Sequence, residues 1–110
     1  MTPGLFVYGT LQPGGANEHV LGAIDGGWEP ASVRGRLLDE GWGASLGCPG
    51  IVLEADGPVV SGFLFRSAEL SAHWPALDEF EGEEYQRVTT EVQLERGYTV
   101  AAEIYVLVEA

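Results

Sequence analysis

The chain has 110 residues, with 17 acidic side chains against five arginines and no lysine, a formal net charge of −12 and a pI near 4.2. Such a charge repels phosphate backbones and anionic lipid surfaces, which excludes nucleic-acid or membrane binding through basic patches. A hydrophobic content of 45% with three Trp, four Tyr and four Phe excludes a disordered acidic tail and predicts one folded domain over residues 1–110.

Residues 5–8, Leu-Phe-Val-Tyr, read as a short strand ending at Gly9. A turn-rich stretch over 12–16 precedes a helical segment over 17–24, with Asn17 as N-cap and Val20, Leu21 and Ile24 at helical spacing. Residues 33–38 read as a strand and 39–49 as a long loop punctuated by Gly41, Gly43, Gly47 and Pro49. Two further strands, 51–54 and 59–66, are joined by Ala55-Asp56-Gly57-Pro58, a strong turn signal. The best helix spans 67–80, capped by Ser67 or Ser71, and tolerates Pro75 only if that residue lies near its first turn. Strands 85–95 and 98–108 form a hairpin around Arg96-Gly97, with Val100, Ala102, Ile104, Val106 and Val108 on one face. Six strands and two helices without regular βαβ alternation predict an α+β barrel or strongly curved sheet.

The lone Cys48 precludes an internal disulfide and fits a reducing compartment; no basic leader and no apolar run of about 18 residues stands in the chain. A cytoplasmic protein is expected. Cys48 reads as a small buried residue, since nothing nearby would depress its pKa. His19 and His73 have no partner at a zinc-ligand spacing, so no metal is expected. Thr10 and Ser45 lack a base. Trp28, Trp42 and Trp74 read as core or pocket wall in this negative field.

Two features carry chemistry. If residues 70–81 are helical, Leu70, Trp74, Leu77 and Glu81 fall on one stripe facing the core. A carboxylate on that stripe, among Asp78, Glu79, Glu83 and Glu84 with only Arg87 near in sequence, would have a raised pKa suited to a general acid/base. Spacing alone leaves open the plainer alternative, that Glu81 is solvated at a frayed helix end before Gly82. The second feature is Tyr8-Gly9-Thr10-Leu11, where a strand ends on glycine and consecutive backbone N–H groups can face a carboxylate or an oxyanion. Bland turns share this composition, and the following Gln12-Pro13-Gly14-Gly15 excludes a P-loop.

Together, the segment Leu5-Phe6-Val7-Tyr8-Gly9-Thr10-Leu11, then Leu77-Asp78-Glu79-Phe80-Glu81-Gly82 followed by Tyr85-Gln86-Arg87, resemble the γ-glutamylcyclotransferase-like family, of its γ-glutamylamine cyclotransferase type. Gly35-Arg36-Leu37-Leu38, Pro49-Gly50 and Val60-Ser61-Gly62-Phe63-Leu64-Phe65 also look like that family's connecting segments, so the resemblance spans nearly the whole chain. It implies an α+β fold, a small mixed six-stranded β-barrel flanked by short helices, with a pocket at one barrel mouth. It implies Glu81 as the catalytic general acid/base, substrate binding by Tyr8, Gly9, Thr10 and Leu11, and Tyr85 lining the site. Cys48 departs from the aromatic that relatives often carry before Pro-Gly, which leaves the pocket wall open.

The implied reaction converts a γ-glutamyl amine or small γ-glutamyl peptide to 5-oxoproline and a free amine, without metal or organic cofactor. The expected partner is that small substrate, with neither nucleic acid nor membrane, and the expected state is a monomer or small homo-oligomer. The alternatives are a non-catalytic small-molecule-binding module on the same fold, and a hydrolase in which Glu81 activates water.

Overall fold

The computed structural model describes residues 3–8, 21–22, 24–38, 50–82 and 85–107. Its strands are β1 (Gly4–Val7), β2 (Gly27–Leu38), β3 (Gly50–Leu53), β4 (Val59–Arg66), β5 (Tyr85–Leu94) and β6 (Thr99–Leu107), with helix α1 (Leu70–Glu81) between β4 and β5. The sheet order is β3-β2-β4-β1-β6-β5, and β5 returns to pair with β2 at Ala31↔Leu94 and Ser32↔Gln93. Five strands therefore close into a barrel, and β3 is added along the outer half of β2 at Gly35↔Leu53 to Leu38↔Gly50. β1 and β6 run parallel while the other pairs are antiparallel, which makes the barrel mixed, as the resemblance implies.

β1 is buried along its whole length, and its alternation sorts side chains into two cores. Phe6 turns into the barrel with Val33, Ile51, Leu64, Val92 and Ile104. Leu5 and Val7 turn outward, where Phe65 and Tyr105 of the sheet meet Leu70 and Leu77 of α1 and Leu21 and Ile24. In β6, Ala102 and Ile104 line the interior, with Val100 and Val106 packed beside them, as period-two spacing predicts. The hairpin turn forms where expected, with Gly97 at φ 101° and its N–H donating to the Leu94 carbonyl at 2.9 Å.

β2 begins at Gly27, six residues before the expected 33, despite Pro30. An unbroken register with β4 from Gly27↔Arg66 to Arg34↔Val59 holds this half in the sheet. The Pro30 carbonyl faces β5 and accepts from Glu95 N–H at 3.2 Å, so its missing donor falls on the side where β5 has ended.

α1 also shifts from expectation. Ser67 Oγ accepts from Glu69 N–H at 3.1 Å and donates to the Asp25 carbonyl, organising the turn into the helix, but the helix proper starts at Leu70. Pro75 lies in the second turn, not the first. It is tolerated there because Ser71, whose carbonyl loses its usual partner, is exposed like Pro75 itself. No helix among the described residues is long and apolar enough to cross a membrane. The expected helix over 17–24 and the loops over 12–16 and 39–49, with His19, Trp42, Ser45 and Cys48, lie wholly or largely outside the described residues.

Candidate functional site

One end of the barrel gathers three of the positions singled out from the sequence, Tyr8, Tyr85 and the backbone of position 81. Tyr8 follows the last residue of β1, which runs parallel to β6. Leu107 at the end of β6 pairs with Tyr85 at the start of β5. Gly50 opens β3 against Leu107, so closely that a Cβ there would meet Leu107 Cγ at 2.2 Å. α1 closes at the same end, its last residue Glu81 four positions before Tyr85.

The stripe anticipated on α1 is present. Leu70 and Leu77 are buried and Trp74 is half-buried against the outer core. The backbone of α1 carries this register to position 81, and Gly82 stops it at φ 84°, a conformation that suits glycine. Its N–H donates to the Asp78 carbonyl at 3.1 Å. The side chain of Glu81, and residues Gly9, Thr10, Leu11, Glu83 and Glu84, lie outside the described part of the molecule.

Tyr8 and Tyr85 share this end of the barrel but not a face. Tyr8 packs with the interior core, and its hydroxyl donates to the Tyr105 carbonyl at 2.8 Å and accepts from Ile51 N–H at 3.2 Å. This phenol links β6 to β3, two strands that are not ladder neighbours. Tyr85 is half-buried on the outer core, beneath α1. Tyr8→Phe is expected to strand the N–H of the buried Ile51 and cost about 1–3 kcal/mol. Urea unfolding measures it; a loss under about 0.5 kcal/mol would mean that the hydroxyl is dispensable.

A second group escaped the sequence reading. Arg87 on β5 donates from Nε to Asp78 Oδ1 at 2.9 Å, from Nη2 to Asp78 Oδ2 at 3.4 Å and from Nη1 to Glu103 Oε1 at 3.1 Å. Its guanidinium stacks 4.5 Å from the centre of the Trp74 ring, and the Tyr105 hydroxyl donates to Asp78 Oδ1 at 2.7 Å. Thr89 Oγ1 donates to the other Glu103 oxygen. Burial alone would push the Asp78 carboxyl up, but the Tyr105 hydroxyl and the Arg87 guanidinium outweigh it and hold it below its usual value. Burial likewise opposes the charge on Arg87, yet its acidic partners raise its pKa. Asp78 is thus an ion-paired member of the acidic run, not one of a set of uncompensated neighbours. Both ends of this pair stand in the motifs Asp-x-x-Glu-Gly and Tyr-x-Arg. Their pairing was hidden because it depends on α1 packing across β5 and on Glu103 and Tyr105 from β6.

Known proteins resemble this chain along nearly its whole length. The family described as "Gamma-glutamyl cyclotransferase, AIG2-like" matches residues 5–110. YkqA from Bacillus subtilis superposes with a TM-score of 0.73 at 30% identity, covering 97% of this chain and 36% of its own, so this chain spans about a third of that protein. An AIG2-like protein from Mus musculus superposes with a TM-score of 0.72 at 26% identity, covering 96% of this chain and 76% of its own. A structure described as a gamma-glutamyl cyclotransferase shares the fold, with a TM-score of 0.69 at 16% identity over 99% of this chain and 68% of its own. No curated protein sequence matches the chain. With the family match running from β1 through the end of β6 and the same barrel in its neighbours, the chain belongs to the gamma-glutamyl cyclotransferase, AIG2-like family.

Proposed function

We propose that the protein is a cyclotransferase that releases 5-oxoproline from a γ-glutamyl amine or a small γ-glutamyl peptide, with Glu81 as the general acid/base. The observation that carries this reading is the convergence of Tyr8, the end of α1 and Tyr85 on one barrel mouth in a member of this family. The substrate's α-amino nitrogen attacks its own γ-carbonyl carbon, forming the ring C–N bond. The tetrahedral oxyanion then collapses and the bond to the leaving nitrogen breaks. Glu81 takes the proton that the attacking nitrogen loses and returns it to the leaving amine, so protons balance without an external donor. Backbone N–H groups of Gly9, Thr10 and Leu11 anchor the α-carboxylate or the oxyanion, with Tyr8 bordering the site from the barrel interior and Tyr85 from its outer face. Both reacting groups belong to one molecule, so much of the catalysis is enforcement of a folded conformer.

The charge distribution supports a small or amine-terminated substrate over a polyanionic one. Arg36 is bound to Glu54, Arg87 to Asp78 and Glu103, Arg96 to Glu29, and Arg34 to the Gly57 carbonyl. With these cations engaged inside a chain of net charge −12, backbone donors are the better anchor for one carboxylate, and a polyglutamate chain would be repelled. The γ-glutamylamine type, a cytoplasmic setting and a monomeric or small homo-oligomeric state belong to the same proposal.

A panel of γ-glutamyl amines and γ-glutamyl dipeptides, followed by mass spectrometry, tests the reading. Release of 5-oxoproline is expected. Binding of 5-oxoproline without turnover of any compound would favour a binding module, and free glutamate as product would favour hydrolysis.

A further inference from the structure

We propose that Asp78 and Arg87 are positioning residues, whose forked ion pair clamps the last turn of α1 to the barrel and thereby sets Glu81 at the mouth. The inference rests on the cyclotransferase reading. Asp78 stands three residues before Glu81, and Arg87 stands two residues after Tyr85. Their two-point contact, Nε to Oδ1 and Nη2 to Oδ2, closes the segment 78–87 that contains both site positions. Both partners are held again from outside that segment. Tyr105 fixes Asp78 Oδ1, Glu103 takes Nη1 of Arg87, and Trp74 underlies the guanidinium.

The exposure of the clasp argues for geometry over stability. The side chains of Asp78 and Arg87 keep 46% and 26% of their accessible surface, and ion pairs this open contribute little to folding. A planar fork held by two carboxylates and an aromatic face, with the Tyr105 hydroxyl donating to one of those carboxylates, nevertheless restricts orientation strongly. It does so where the α1–β5 link passes Gly82, at φ 84°, a residue that offers no side chain to hold the turn.

The test measures kcat, KM and Tm for Asp78→Asn, Arg87→Met, Arg87→Lys and the Asp78→Asn/Arg87→Met double variant, on a γ-glutamyl amine that the unmodified protein turns over. Loss of the fork is expected to lower kcat about 10- to 100-fold in each single variant, with KM changed less than about threefold. Arg87→Lys is expected to fail like Arg87→Met although it keeps the charge, because an ammonium cannot make the fork. The double variant is expected to be no worse than the poorer single one, since either substitution opens the same clasp. Tm is expected to move by less than about 5 °C. An unchanged kcat in Asp78→Asn, or losses that track Tm and vanish on cooling, would overturn the proposal while leaving the cyclotransferase reading intact. No turnover by the unmodified protein would overturn that reading, and the positioning role with it.

Discussion

Glu81→Gln is expected to reduce 5-oxoproline release by at least about 10³-fold without unfolding the protein. The amide has the size of the carboxyl and a similar helix propensity, so α1, which ends at this residue, loses nothing it needs to form. What disappears is the capacity to accept a proton from the attacking nitrogen and return it to the leaving one. Both transfers fail together, which places the loss in kcat, with KM little changed. The exposed neighbour Glu79 supplies the control, because Glu79→Gln removes the same charge from the same helix and is expected to leave turnover unchanged. Retention of activity in Glu81→Gln would remove that residue from the mechanism. Accumulation of free glutamate in the unmodified protein would keep it there, but as the base that activates water.

The stripe of Leu70, Trp74 and Leu77 was legible because a helix repeats its face every three to four residues, and that periodicity survives in the folded chain. The alternation of Ala102, Ile104 and their neighbours was legible for the same reason in β6. The N-terminal half of β2 was not, since Gly27-Trp28-Glu29-Pro30 has no strand pattern and is extended only because β4 pairs with it. Pro75, expected to be tolerable only near the first turn, stands in the second, one turn further in. That position is tolerated because Ser71, the residue whose carbonyl it orphans, is exposed. Likewise Asp78 could be counted as an acid but not recognised as half of an ion pair, because its partners arrive from β5 and β6. The motif residues were visible in sequence; the non-local contacts that position them were not.

The same limit applies to Gly62, which carries the largest expected effect on stability. In sequence it is one of 16 glycines, with no positive φ to mark it. In the fold it lies on β4 just past the Val7↔Phe63 pair, where β1 gives way to Tyr8. A Cβ at this position would stand 2.2 Å from the Val7 carbonyl oxygen, 3.1 Å from its carbonyl carbon and 2.8 Å from Phe6 Cζ. The obstacle is mainly backbone, and it cannot retreat: β1 is paired on its other edge with β6, and Phe6 is 1% exposed in the barrel core. Gly62→Ala must therefore pry β4 from β1. This is expected to cost about 3 kcal/mol, at the upper end for overpacking, and to lower Tm by about 10 °C. Gly27→Ala is the matched control, a strand glycine whose added methyl would meet nothing within 4 Å. There the substitution is expected to be neutral or to stabilise by up to about 1 kcal/mol, because only the freedom of the unfolded chain is reduced. Equal Tm values for the two variants would show that β1 can yield. An unequal pair would show that it cannot, and because this tight β1–β4 crossing lies directly before Tyr8, activity measured below the lowered Tm should then also fall as the end of β1 is displaced from the mouth.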